Sequence, residues 1–322
     1  MKPHGPPVLV LGANGFLGSH LTASLLKRGW KVRAFDQAWN VSSWKPYLES
    51  GFLEIREASI FDENALHKAL QDVSMVFHFI SFSIPSSSPG FLRNEVQTTL
   101  QAMEMLLTAM VETGTQRIIF PSSGGTIYGA TDSRPARETD PLNPLSSYGL
   151  GKLLCEEMIR FYGRVHNLQY LILRGSNVYG APRLHRFSQG IIDVFLERIM
   201  KGEELTVWGN PGNVRDYIFI DDFIDALFAL LNLDGGVSRI INIGSGEGVS
   251  VRAIIKVIGK LIGAEPAWRL DRQAYSGIPY NVLDVSLLRG LVGWKAKYSL
   301  EDGIAEVWRR KRAASSEEFV LA

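Results

Sequence analysis

Residues 7–36 read PVLVLGANGFLGSHLTASLLKRGWKVRAFD, and the order of features in them decides the fold. Val8 to Leu11 form an unbroken apolar run, the pattern of a parallel strand buried on both faces. Gly12, Gly15 and Gly18 follow with the spacing G-x-x-G-x-x-G. Leu17, Leu21 and Leu25 then recur at helical spacing until Gly29 stops the helix. Val32 to Phe35 make a second strand, which ends at Asp36. A glycine triplet alone says little, but strand, glycine turn, helix, strand and acid in this order say much. Glycines let the backbone approach a pyrophosphate, and the helix N-terminus offers free N–H groups to its charge. Asp36, eighteen residues beyond Gly18, can accept from both hydroxyls of a ribose and would repel a 2′-phosphate. The segment is therefore expected to hold NAD rather than NADP, with Gly12, Asn14, Gly15, Phe16, Leu17, Gly18 and Asp36 around it.

The alternation continues outward. Glu54 to Ala58 reads as a strand and Glu63 to Leu70 as a helix. VSMVFHFIS, residues 73–81, is a strand whose end carries Phe79, Ile80 and Ser81. Leu100, Met103, Leu106, Leu107, Met110 and Val111 fall on one helical stripe. RIIFPSS, residues 117–123, is the next strand. Strands alternating with helices predict an α/β chain with a doubly wound parallel sheet. Ligands of such sheets sit at the carboxyl ends of the strands. Phe79, Ile80, Ser81, Ser122, Ser123 and Thr126 all fall there.

Composition narrows the class. The chain has 322 residues, 46% of them hydrophobic and 21% charged, enough to build a sizeable core. The net charge is +1 and no basic stripe runs along the chain, so nucleic acid is not an expected partner. A single cysteine, Cys155, excludes an internal disulfide and fits a reducing compartment, hence a cytoplasmic location. Its helical apolar setting gives it a packing role. No apolar stretch is long enough for a membrane span, and MKPHGPPVLVLG reads as the approach to a buried strand rather than a signal peptide. Nothing in the sequence has the spacing of a metal site.

The stretch SSYGLGK, residues 146–152, follows the RIIFPSS strand after a polar segment. Tyr148 and Lys152 stand at i and i+4, on one helix face. Such a pair also decorates ordinary helix surfaces, so position must decide. Here the helix starts at the carboxyl end of the sheet. A tyrosine is a poor base near its ordinary pKa of about 10. A nearby ammonium and a cationic nicotinamide favour its phenolate. A hydroxyl at Ser123 or Thr126 would complete a proton path to a substrate alcohol.

Seven stretches in order now stand out: GANGFLG, SSGGTIYG, YGLGK, LRGSNVYG, RDYIFIDD, NIGSGEGVSV and PYNVLDVSLLRGLVGW. Together they resemble the extended short-chain dehydrogenase/reductase superfamily, and within it the nucleotide-sugar epimerases and dehydratases of the UDP-galactose 4-epimerase type. The resemblance covers nearly the whole chain. It implies a Rossmann-type NAD domain over residues 1–175. Residues 176–322 would mainly form a smaller domain that grips a nucleoside diphosphate sugar, with some segments returning to the first sheet. It makes Tyr148 the acid/base and Lys152 the residue that holds the nicotinamide ribose. It assigns Asn177 to the diphosphate or sugar, and Arg215 to a phosphate, for which a bidentate guanidinium is suited. Trp208 would pack on the base, with Ser83, Gln189 and Thr206 as further neighbours of the substrate. Ordinary alternatives are core packing for Trp208 and pairing with Asp216 or Asp221 for Arg215. A homodimer built on the helices around 100–111 and 148–161 is also implied.

Three departures accompany the resemblance. The family usually carries Ser or Thr at the place of Gly124, so Ser123 or Thr126 must take the hydroxyl role. An arginine usual at the place of Ala274 is absent, and Arg272 is its candidate substitute. The Asp-Ile pair that often holds the adenine is Ser59-Ile60 here. No carboxylate lies in GGTI, residues 124–127, where dehydratases and decarboxylases of the family carry one. The simplest remaining chemistry is C4 epimerisation of a UDP-hexose through a 4-keto sugar. A 4,6-dehydratase or another sugar-nucleotide oxidoreductase is the alternative reaction, and an NAD-sensing binding protein the alternative class.

Overall fold

The computed structural model describes residues 5–39, 44–82, 92–180, 190–233, 238–271 and 278–320. Six strands of its first sheet come from the first half of the chain or just beyond it: β1 (Val8–Leu11), β2 (Val32–Asp36), β3 (Leu53–Glu57), β4 (Val76–His78), β5 (Arg117–Ser123) and β6 (Gln169–Gly175). Between them run α1 (Phe16–Lys27), α2 (Lys45–Glu49), α3 (Glu63–Leu70), α4 (Leu92–Thr113), the short turn α5 (Gly124–Ile127) and α6 (Ser147–His166). Beyond them come β7 (Asn177–Tyr179), α7 (Ile191–Met200), β8 (Leu205–Trp208), β9 (Val214–Phe219), α8 (Ile220–Leu231), β10 (Arg239–Ile243) and β11 (Gly248–Ser250). The remaining elements are α9 (Val251–Ile262), β12 (Trp268–Asp271), β13 (Tyr280–Asn281), α10 (Ser286–Val292) and α11 (Leu300–Val320).

Seven strands pair in the order β10-β6-β5-β4-β1-β2-β3, every pairing parallel. The expected doubly wound sheet is therefore present. Its apolar strands are buried because helices cover both faces. Along β1, Val8 and Val10 join one core with Leu21 and Leu25 of α1 and Phe223 and Leu227 of α8. Leu9 and Leu11 join the other, with Leu66 of α3, Met103 and Leu107 of α4, and Ile159 of α6. The strand order reverses between β1 and β4, which opens the crevice at their carboxyl ends. The last strand, β10, comes from the second half of the chain and lies beside β6, from Arg239 opposite Leu171 to Ile243 opposite Gly175.

The second half adds a small sheet centred on β9, which pairs with β7, β11 and β13, and a two-stranded sheet of β8 and β12. The buried carboxylate of Asp216, on β9, gathers neighbouring segments. It accepts from the backbone N–H groups of Ser245 at 2.9 Å and Gly246 at 3.1 Å, and from the Ser245 hydroxyl at 2.8 Å. Burial raises its pKa, and those hydrogen bonds work against the rise. Element limits differ modestly from the sequence reading. The strand expected at 54–58 runs one residue earlier, and the ordered ladder in VSMVFHFIS is only Val76–His78.

Candidate active site

The glycine turn closes as its spacing implies. Gly12 has φ +77°, and a Cβ there would lie 2.8 Å from the backbone N of Ile80, so both turn shape and close approach require glycine. A Cβ on Gly18 would run into the carbonyl oxygen of Gly12, so the bare position lets α1 pack onto the strand end. Phe16 and Leu17 open α1 and pack against the core. The Asp36 carboxylate accepts from the N–H of Asn14 and the N–H of Gln37, each at 2.8 Å. A carboxylate has about four lone-pair positions, so it keeps capacity for ribose hydroxyls. Asn14 donates its amide to the Ala38 carbonyl at 2.8 Å, and its side-chain oxygen is buried without a partner. Ser59 accepts from the Phe61 N–H at 3.3 Å beside buried Ile60. The Ser122 hydroxyl is also buried and unpartnered. An open acidic rim, a glycine cradle and unsatisfied polar atoms fit a dinucleotide.

The Tyr148–Lys152 pair is placed by a cap. Ser146 accepts from the Gly149 N–H at 3.1 Å and starts α6. The Ser147 hydroxyl donates to Glu95 and ties this first turn to α4. Tyr148 and Lys152 then line one cavity with Ile80, Ser81, Phe82, Thr99, His78, Phe120 and Cys155. The Lys152 ammonium donates to the Pro121 carbonyl at 2.9 Å. It lies 4.7 Å from the Phe120 ring centre and 5.7 Å from that of Tyr148. Burial brings its pKa down to about 8. Burial likewise pushes the Tyr148 phenol up to about 12, and a hydrogen bond with Ser123 works the other way. Burial thus dominates and the protein's own groups hold Tyr148 protonated, so the expected phenolate draws on the cationic nicotinamide as well as on Lys152.

Of the two candidate hydroxyls, Ser123 meets Tyr148. Thr126 makes only a long contact, 3.5 Å, to the carbonyl of Ser123. Phe79 packs against the core beside the crevice. His78, Thr99, Phe120 and Cys155 line the cavity but were not expected there. His78 is the most unusual of them: buried, stacked on Phe120, with Nδ1 unpartnered. Burial first, then the Lys152 charge, brings its pKa down to about 3, so the imidazole is neutral. Its place in VSMVFHFIS, just before the crevice residues, was the available signal.

On the substrate side, Asn177 donates to the Asp216 carbonyl at 2.8 Å, which fixes it at the β7–β9 junction. Arg215 is half-buried and donates to its neighbour's carbonyl, Val214 O, at 2.8 Å. Among the described residues no carboxylate forms an ion pair with it. Asp216 is taken by Ser245 and Gly246, and Asp221 pairs with Arg310 at 2.6 Å. Burial lowers the Arg215 pKa, as expected of a cation that lacks a counter-charge. Trp208 is 67% exposed, which excludes a core role. Thr206 accepts from Arg198 at 3.0 Å. Ser83, Gln189 and Arg272, together with Ala274, lie outside the described residues. Those residues contain no group of three or more His, Cys, Asp or Glu side chains able to hold a metal ion.

The family described as NAD dependent epimerase/dehydratase matches residues 8–244. A UDP-glucose 4-epimerase of Azospirillum brasilense is 32% identical, over 95% of this chain and 92% of its own. A dTDP-4-dehydro-6-deoxyglucose reductase of Escherichia coli is 28% identical, over 92% of this chain and 95% of its own. The crystal structure of the UDP-glucose 4-epimerase of Thermotoga maritima with UDP-glucose superposes with a TM-score of 0.84 at 29% identity. It covers 96% of this chain and 99% of that one.

Proposed function

Because the chain belongs to the NAD-dependent epimerase/dehydratase family, we propose that it inverts C4 of a UDP-hexose through a transient 4-keto sugar, with NAD as resident cofactor. The observation that carries this reading is Tyr148 and Lys152 in one cavity, with Ser123 hydrogen-bonded to Tyr148 and leading into a GGTI turn that contains no carboxylate. That set can move a proton at a sugar hydroxyl but offers no second acid/base in the turn to expel water. Bound NAD supplies the acceptor for the C4 hydride and its return to the opposite face.

The chain's own residues do the rest. Asp36 and the Gly12–Gly18 turn hold the adenosine ribose and pyrophosphate, with Ser59 and Ile60 near the base. Phe79, Ile80, Ser81 and Ser122 line the crevice. Tyr148 takes the proton of the C4 hydroxyl, through or beside Ser123, and later returns it. The Lys152 ammonium holds the nicotinamide ribose and favours the phenolate. Arg215 neutralises the diphosphate, Asn177 orients it, and Trp208 and Thr206 meet the uridine.

The proposal extends to organisation. Residues 1–175 act as the NAD-binding domain and 176–322 mainly as the sugar-nucleotide domain, with β10 returning to the first sheet. The chain works as a homodimer in the cytoplasm and serves the supply of sugars for polysaccharides. Phe161 and Val165 on α6 and Val111 on α4 are exposed apolar groups that support the dimer. The free Cys155 thiol is in keeping with a reducing compartment. Among the described residues, no helix is long and apolar enough to cross a membrane.

Incubation with UDP-glucose, UDP-N-acetylglucosamine and UDP-glucuronate, with products read by NMR, tests the reaction. A C4 epimer from one of them is expected. A 4-keto-6-deoxy product would instead mark a dehydratase. Consumption of an added 4-keto substrate with net oxidation of NADH would mark a reductase, the activity in the name of the Escherichia coli relative.

A further inference from the structure

Gly124 has no room for a side chain. A Cβ there would lie 2.7 and 2.8 Å from the two terminal methyls of Leu283, and 3.0 Å from the carbonyl oxygen of Arg174. Leu283 is fully buried and packs with Ile127 and Tyr128 of the same turn. The leucine thus fills the volume that a side chain at 124 would need. Its backbone is held from both halves of the molecule. The Leu283 N–H donates to the Asp216 carboxylate at 3.4 Å. On either side of it, Val282 O accepts from the Ala136 N–H and the Asp284 N–H donates to Ala136 O, each at 2.8 Å. The amide of Asn281 donates to Gly124 O at 3.3 Å.

The opposite side of the turn is open. A Cβ on Gly125 would find nothing nearer than the Asn177 amide at 3.9 Å and the Ser123 hydroxyl at 4.0 Å. The turn is therefore pressed by Leu283 on one side and free on the side of Asn177 and Ser123. We infer that Leu283 is a positioning residue for the acid/base step: it occupies the Gly124 volume and sets the turn so that the Ser123 hydroxyl, not one at 124, reaches Tyr148. The role rests on the proposed epimerase chemistry for its catalytic meaning. The packing that carries it stands apart from the identity of the sugar.

The test is a hydroxyl transplant in the NAD-loaded protein. Leu283→Ala should lower kcat about tenfold or more with KM little changed, the pattern of a displaced reacting group. Gly124→Ser alone should be equally impaired by collision with Leu283. Gly124→Ser combined with Leu283→Ala should recover about tenfold over the weaker single variant. In a Ser123→Ala background, the same pair should restore turnover, because the new serine can then serve Tyr148. If Leu283→Ala does not fold, Leu283→Val carries the same comparison. A second readout needs no turnover. The phenolate titration of Tyr148, taken as the ultraviolet difference from Tyr148→Phe, should move to higher pH in Leu283→Ala as the Ser123 hydrogen bond is lost. A wild-type chain inactive on every UDP-sugar would sink the epimerase reading and leave this titration to judge Leu283. An unmoved titration overturns the inference, and so does a double variant no better than the product of the single losses.

Discussion

Tyr148→Phe removes one oxygen and leaves a ring that still lies beside Lys152. The protein should keep its fold and its NAD, while turnover falls about 10²-fold or more, the scale of a lost general acid/base. Stopped assays on the substrate found by NMR check the rate, and the nucleotide released on denaturation checks the cofactor. Near-normal turnover would return the tyrosine to helix decoration. At this scale the sequence was readable where chemistry imposes residue type: glycines at a backbone crossing, an acid at a strand end, tyrosine and lysine one helical turn apart. It left Ser123 and Thr126 level, because the choice depends on Leu283, which is 159 positions beyond Gly124 in the chain and meets it only in the folded core. For His78 it offered only a place just before the crevice residues, since an apolar strand containing a histidine looks the same whether the ring faces a cavity or a core.

Two helices are tied to their surroundings by charge, with opposite exposure. Glu156 of α6 pairs with Arg174 of β6 at 2.7 Å, both almost fully buried. The arginine also reaches the Tyr128 hydroxyl at 3.0 Å, and Tyr128 donates to Asn242 of β10 at 2.7 Å. Glu156→Gln would leave the guanidinium without its counter-charge and should cost roughly 3–5 kcal/mol. Denaturant unfolding of the variant against the parent measures it. His67 of α3 meets Glu112 of α4 at 2.5 Å on the surface. The hydrogen bond to Glu112 raises its pKa above the ordinary 6.5. A group raised on folding adds stability that is complete below its unfolded pKa and disappears as pH climbs past the folded one. The melting advantage over His67→Ala should therefore be complete below about pH 6.5 and be lost as pH rises through the raised folded-state pKa. Solvent screening keeps it to about 1 kcal/mol or less. Melting at pH 5.5 and 8.5 checks this, and an advantage that grows with pH would contradict it. Periodicity found α3 and the middle of α4. It missed the first turns of α4, where polar Asn94, Glu95 and Gln97 interrupt the stripe, because Glu95 is held there by Ser147 rather than by apolar burial.

For the whole molecule, light scattering at micromolar concentration should give about twice the 35.8 kDa of one chain; a mass near that of one chain would remove the proposed dimer. Polar substitution of Phe161 and Val165 should shift the mass to the monomer value while leaving the NAD crevice intact. The doubly wound plan was legible from the alternation of apolar strands and helices. The return of β10 to the sheet was foreseen only as a general property of the resembled family, since its short run, Arg239–Ile243, carries no mark of which sheet it will join. That return sets a schedule for the growing chain. When β6 has been synthesised, its outer edge still lacks a neighbour, and the strand that covers it is completed 68 residues later, counting from Gly175 to Ile243. At ribosomal speeds of about 5–20 residues per second, the apolar edge around Ile172 and Leu173 waits roughly 3–14 s for its cover. A nascent chain that stalls in that interval presents an open strand edge to its neighbours, so slow codons between 176 and 238 should increase aggregation while the same codons after 243 should not.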